Sequence, residues 1–187
     1  KAREANMPLD NVERAIKKGA GETDGVRLEN VIYEGFGPAG VAIMLDALTD
    51  NRNRTVSEIR KIFETRGGTL GGSNSVNWLF ERKGLITLPA GKTSEDEMIA
   101  VAIEVSADDA TLSDDIFEIT CPPEQLVHIK KDLITKGFTP KTAEISFIPK
   151  NYVTLSGETA KKVLELVESL EDHDDVQNVY ANFDIQN

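Results

Sequence analysis

A single cysteine, Cys121, and two histidines, His128 and His173, stand in a chain of 187 residues. One cysteine excludes an internal disulfide framework and agrees with a reducing compartment. Asn53-Arg54-Thr55 is therefore read as part of a helix start and not as a glycosylation sequon. The histidines lie far apart in sequence, without carboxylates at ligand spacing, so no metal centre is expected. The run Glu171-Asp-His-Asp-Asp175 lacks the spacing and glycine of a calcium loop and reads as a solvated acidic turn. Cys121, beside Pro122 and without CxxC context, reads as a packed thiol. No apolar run approaches the roughly 20 residues a bilayer crossing needs, and no signal peptide is visible, which points to the cytosol and away from membranes. Nor is there a nucleophile with a partner base, or a cofactor loop. The turn Gly35-Phe-Gly-Pro-Ala-Gly40 opens into the apolar strand Val41-Ala-Ile-Met-Leu45, whereas a phosphate loop opens into a helix. The reading is of a non-enzyme without cofactor or metal.

What the chain does have is acid, with a formal net charge of −11. The acid is concentrated in the second half, while the first third is close to neutral. Such a total argues against a sheath-like duplex binder that neutralises many phosphates at once, and leaves room for one confined basic face.

Apolar periodicity and caps divide the chain. Asp10 to Lys18 reads as a short capped helix, and the glycines of Gly19-Ala-Gly-Glu-Thr-Asp-Gly25 as a hinge. Lys1-Ala-Arg-Glu-Ala5 reads as the tail of a helix already under way, so a preceding segment is expected. Beyond the hinge come strands at Val31–Tyr33 and Val41–Leu48, a helix from Thr55 to Arg66, and a strand from Ser75 to Arg82 with Val76, Trp78 and Phe80 on one face. Core packing is the reading for Trp78 and Phe80, since aromatics make up only 6% of the chain and no RNA-recognition signature is present. The matching helix and strand recur only at the C-terminus, where Val179, Ala181, Phe183 and Ile185 alternate with polar residues.

Between them, Gly84–Leu88, a helix capped by Ser94 and Glu97, a hairpin around Ser113–Asp115, a helix opened by Pro122-Pro123 and the strand Ala143–Ile148 complete a β-α-β-β-α-β unit. The expected class is α+β, with two ferredoxin-like α/β sandwich units, one inserted in the other. Residues 1–26 end a helical N-terminal domain, 27–83 with 150–187 form the discontinuous unit, and 84–149 form the insert.

The strongest candidate for chemistry is Asp50-Asn-Arg-Asn-Arg-Thr-Val-Ser-Glu58. Thr55 and Glu58 have capping-box spacing, which sets Arg52 and Arg54 immediately before a helix N-terminus, a ready cradle for phosphate. Both arginines can equally be solvated or paired with Asp50 and Glu58, and this segment alone leaves the two readings open. Arg60 and Lys61 fall opposite the apolar stripe of the same helix and project outward. Arg14, Lys17 and Lys18 offer a second cationic group, although lysines at a helix C-terminus are also favoured by its dipole.

Five segments together resemble the YebC/PmpR family: Ala5–Gly19, Tyr33–Gly40, Thr49–Arg60, Gly67–Gly71 and Leu170–Tyr180. The resemblance spans essentially the whole chain, with Ala39 standing where a glycine is usual. It implies a protein without known catalysis that binds nucleic acid and regulates gene expression. Some members are described as DNA-binding transcriptional regulators, others as ribosome-associated translation factors. The expected partner is promoter DNA or ribosomal RNA. The alternative of another class is a small-molecule sensor, its ligand held by the Gly35–Gly40 turn and the Gly67–Ser73 loop.

Overall fold

The computed structural model describes residues 27–186. The elements run β1 (Glu29–Phe36), β2 (Ala42–Thr49), α1 (Arg52–Thr65), β3 (Thr69–Leu70), β4 (Phe80–Pro89), α2 (Glu95–Glu104), β5 (Asp109–Ser113), β6 (Ile116–Cys121), α3 (Leu126–Thr135), β7 (Thr142–Pro149), β8 (Val153–Leu155), α4 (Gly157–Glu171), β9 (Val176–Ala181) and β10 (Phe183–Ile185). They form two compact units, Phe80–Lys150 and the flanking residues up to Leu79 and from Asn151. The fold is α+β, with one unit inserted in the other.

The first unit is a two-layer sandwich. Its antiparallel sheet has the order β3-β1-β2-β9, with α1 and α4 against one face. Thr55, Ile59 and Phe63 recur every fourth residue, so α1 buries one stripe, and Val163, Leu166 and Leu170 do the same for α4. Both stripes close on Val31, Tyr33, Ile43 and Leu45. Gly67, at φ +75°, ends α1 in the left-handed conformation, and the Gly68 amide returns to the Phe63 carbonyl at 2.7 Å.

Three local expectations are corrected. No strand runs from Ser75 to Arg82: a 3-10 turn occupies Asn77–Leu79, and β4 begins at Phe80 as the first strand of the insert. The buried Glu34 carboxylate is the cause, accepting from the amides of Asn74, Val76 and Asn77, each at 2.8 Å, which curls the segment away from extended geometry. Trp78 consequently is 64% exposed and does not pack in a core, whereas Phe80 is buried. The C-terminal strand is broken at Asn182, whose side chain accepts from Ala42 N at 2.6 Å; beyond it, β10 leaves the sheet to pair in parallel with β8.

The second unit has the element order β-α-β-β-α-β and the sheet order β5-β6-β4-β7, the split βαβ arrangement. Ser94 and Glu97 form the reciprocal cap of α2. Ile86, Phe117, Ile119, Met98, Ile129 and Leu133 fill the core, together with the buried Cys121 thiol. Gly84 is required there, since a Cβ would lie 2.7 Å from Cys121 Sγ.

Candidate functional site

Helix α1 starts earlier than its Thr55/Glu58 spacing suggests. Asn51 is the N-cap, its Oδ1 accepting from Arg54 N at 3.1 Å. Asparagine caps as well as threonine does, and the early start draws Arg52 and Arg54 into the first turn. Thr55 and Glu58 are thereby released for tertiary contacts.

Thr55 is fully buried, and its single hydroxyl proton has two acceptors in reach: Asp175 Oδ2 at 2.7 Å and Asn51 O at 3.0 Å. The carboxylate is nearer and charged, and takes it. Thr49 Oγ1, 2.7 Å away, then donates to Thr55 while accepting from Asn51 N at 2.9 Å. A directed chain results, from the Asn51 amide through two hydroxyls to Asp175. The Asp175 carbonyl, for its part, accepts from Leu48 N at 2.8 Å, which ties the turn before β9 to the end of β2.

Asp175 is only 4% exposed, which corrects the expectation of a solvated acidic run. Arg54 Nη2 donates to its Oδ2 at 3.0 Å and to Asp50 Oδ1 at 2.9 Å. The bonds to Asp175 are the main cause that pushes Arg54 further above its already high pKa. His173 Nδ1 accepts from Asp175 N at 3.1 Å, so the ring proton belongs on Nε2, which faces Glu58 Oε2 at 2.9 Å. Asp50, Glu58, Asp172, Asp174 and Asp175 line a recess of ≈620 Å³ with Arg54 and His173. Five carboxylates against one guanidinium make it a poor place for phosphate.

Arg52 is placed differently. It is exposed at the first helical position and, among the described residues, makes no ion pair. Its carbonyl lies 3.5 Å from the Tyr33 hydroxyl, whose pKa burial raises and the Arg52 charge partly lowers again. The amides of Arg52 and Asn53 donate to no acceptor among the described residues, as is usual for a first turn. Arg60 and Lys61 are exposed on the outer side of α1. Arg14, Lys17 and Lys18 lie outside the described residues. The structure thus brings Arg54 together with acid, in a recess that Arg52, Arg60 and Lys61 do not line.

The two glycine-rich loops offered as a ligand site meet, but they close on each other. A Cβ on Gly35 would lie 2.7 Å from Thr69 O and 2.8 Å from the Phe63 ring, and one on Gly68 2.7 Å from Phe36 O. These glycines permit close backbone packing. Among the described residues no group of His, Cys, Asp and Glu is arranged to hold a metal ion, and no helix is long and apolar enough to cross a membrane.

Comparison with known proteins adds the following. Residues 28–183 match the family model described as the TACO1/YebC second and third domain. A "probable transcriptional regulatory protein" of Dictyoglomus turgidum is 50% identical over 186 residues, covering 99% of this chain and 75% of that protein. One from a Sulfurihydrogenibium species is 51% identical over 187 residues, covering 99% and 74%. The crystal structure of a conserved hypothetical protein from Aquifex aeolicus superposes with a TM-score of 0.84 at 49% identity, over 100% of this chain and 77% of that one.

Proposed function

The chain belongs to the TACO1/YebC family, and with that as premise we propose that it is a cytoplasmic, non-enzymatic regulator of gene expression that binds nucleic acid. The observation that carries the reading is the division of labour at the start of α1. Asp50 and Asp175 hold Arg54 in place, while Arg52 stands exposed over two unbonded amides. A phosphate there meets a guanidinium and the positive end of a helix dipole together. Arg60 and Lys61 are further exposed cations of the same helix, and Arg14, Lys17 and Lys18 are further contacts from the N-terminal region.

The naming of the relatives as transcriptional regulators supports promoter DNA as the target. The charge distribution favours a second reading, ribosomal RNA. A chain of net charge −11 with an acidic recess beside its cationic point is poorly suited to coat a duplex. It suits a folded RNA whose binding is shared with ribosomal proteins. Crosslinking in cells followed by sequencing of the attached nucleic acid decides between them. Discrete promoter fragments support transcription, ribosomal RNA supports translation, and the absence of any enriched nucleic acid overturns the proposal.

A further inference from the structure

The sheet of the insert has the order β5-β6-β4-β7, so β5 and β7 are its outer strands, and among the described residues neither has a strand beyond it. An outer strand presents a row of backbone amides and carbonyls along its edge. Both edges also carry exposed aliphatic side chains on the helical side of the sheet. Leu112 of β5 stands opposite the buried Phe117, and Ile145 of β7 stands opposite Gly84, where a Cβ would meet Leu126 of α3. The helices repeat the pattern, α2 lying over β5 and α3 over β4 and β7. On α2, Met98 and Ala102 point into the core, and Glu104 pairs with Lys136 just beyond the end of α3, which marks the side where the two helices face each other. Asp96, Ile99 and Ile103, at i, i+3 and i+7, are left on the flank turned from α3, and Ile103 is 72% exposed. On α3, Leu126, Ile129 and Leu133 point inward. Val127, Lys130, Lys131 and Ile134, at i, i+3, i+4 and i+7, share the flank turned from α2, and Val127 is 79% exposed.

Exposed aliphatics scattered singly are ordinary; here they line two opposite edges of one unit, and the charges beside them differ in sign. The β5 edge is acidic, with Glu95, Asp96, Asp114 and Asp115 exposed, whereas the β7 edge is basic, with Lys130, Lys131 and Lys141 exposed. Glu144 of β7 is exposed too, but it neighbours Ile145 in the strand and so points to the face away from the helices. Like edges therefore repel and unlike edges attract. Strand direction agrees with the charges. Every neighbouring pair in this sheet is antiparallel, so β5 of a second copy, laid beside β7 without being turned over, continues the antiparallel order. The Asp114-Asp115 turn of one copy then runs toward Lys141 of the other, and the acidic flank of α2 lies against the basic flank of α3. We propose that the insert is a self-association module whose occupant is a second copy of this chain, joined head to tail by addition of β5 to β7.

Sedimentation velocity on the full chain, without nucleic acid, tests it. The expected result is an average mass that climbs from one chain toward several as the concentration rises to about 0.5 mM in about 50 mM salt, and that falls back in about 0.5 M salt. Ile99→Ser with Ile103→Ser disables the β5 side, and Val127→Ser with Ile134→Ser the β7 side. All four positions are exposed, and an unchanged circular dichroism spectrum checks that the fold is kept. Each pair of substitutions weakens association by about 10-fold or more. An equimolar mixture of the two variants recovers it but stops at two chains, because one intact edge of each kind remains. A native chain that stays single throughout overturns the proposal, as does association that survives either pair of substitutions. A mixture as inert as its parts assigns the contact to like edges related by a two-fold axis and overturns the head-to-tail arrangement.

Discussion

The Thr55 hydroxyl lies 2.7 Å from the Asp175 carboxylate, a buried contact across 120 positions of sequence that joins the first turn of α1 to the entry of β9. Through it the two ends of the first unit, separated by the whole insert, share one polar cluster. Thr49, Asn51 and Arg54 are its other members.

Replacing Asp175 by alanine strands the buried Thr55 hydroxyl and the Arg54 guanidinium. A loss of about 2–3 kcal/mol is expected, the range for a hydrogen-bonded charged group removed from buried partners. Urea unfolding checks it: the midpoint falls while the slope is unchanged.

Arg52 and Arg54, two residues apart, respond oppositely. Arg54→Ala lowers the unfolding midpoint, because Arg54 ties Asp50 to Asp175, and it leaves the salt dependence of nucleic-acid binding unaltered. Arg52→Ala leaves the midpoint within about 0.5 kcal/mol and flattens the salt slope by about one. Equal loss of slope in both variants contradicts the division of roles.

That division could not be seen in sequence. The Asp50–Glu58 segment showed that a helix begins there but put its cap at Thr55, since Asn51 and Thr55 both carry capping chemistry and only the position of Asp175 decides between them. Asp175 itself sits in a run of acid that looks solvated residue by residue, and its burial is a tertiary fact. Periodicity and local caps were more legible: Ser94 with Glu97, the Ser113–Asp115 hairpin and the end of α1 at Gly67 needed no distant partner. The segment Ser75–Arg82 failed for the opposite reason. Its alternation of Val76, Trp78 and Phe80 mimics a strand, while Glu34, forty residues away, imposes a turn.

Ala39 occupies the left-handed region at φ 59°, where an L side chain is strained. Ala39→Gly is expected to stabilise the first unit by about 1 kcal/mol, since the strain relieved exceeds the entropy that glycine adds to the unfolded chain. Thermal unfolding of the variant, shifted upward by a few degrees, checks it.

Asp46 gives the stability a pH dependence. Burial raises its carboxyl pKa above the usual value, and the Tyr180 hydroxyl, 3.4 Å from Oδ2, opposes the shift. The folded state therefore holds the proton more tightly than the unfolded state. The contribution is fully present below about pH 4 and is lost as pH rises through the raised value. Asp46→Asn removes that loss, so its urea midpoint exceeds that of the native chain at pH 7 and the gap closes at pH 3.5. A gap that widens on acidification refutes the sign.

Phe80 and Pro149 stand opposite each other in the β4–β7 pair, so the insert departs and returns through neighbouring positions of one ladder. While it is folded, the surrounding unit carries it as a short closed loop. Melt it, and the same unit must close a flexible loop of roughly 70 residues, at about 0.6 kcal/mol for each doubling of effective length. Through chain entropy alone, loss of the insert withdraws about 2 kcal/mol from its host. By linkage the coupling is reciprocal: the folded host raises the free energy of the melted, looped insert, so melting of the host lowers the stability of the insert by the same amount.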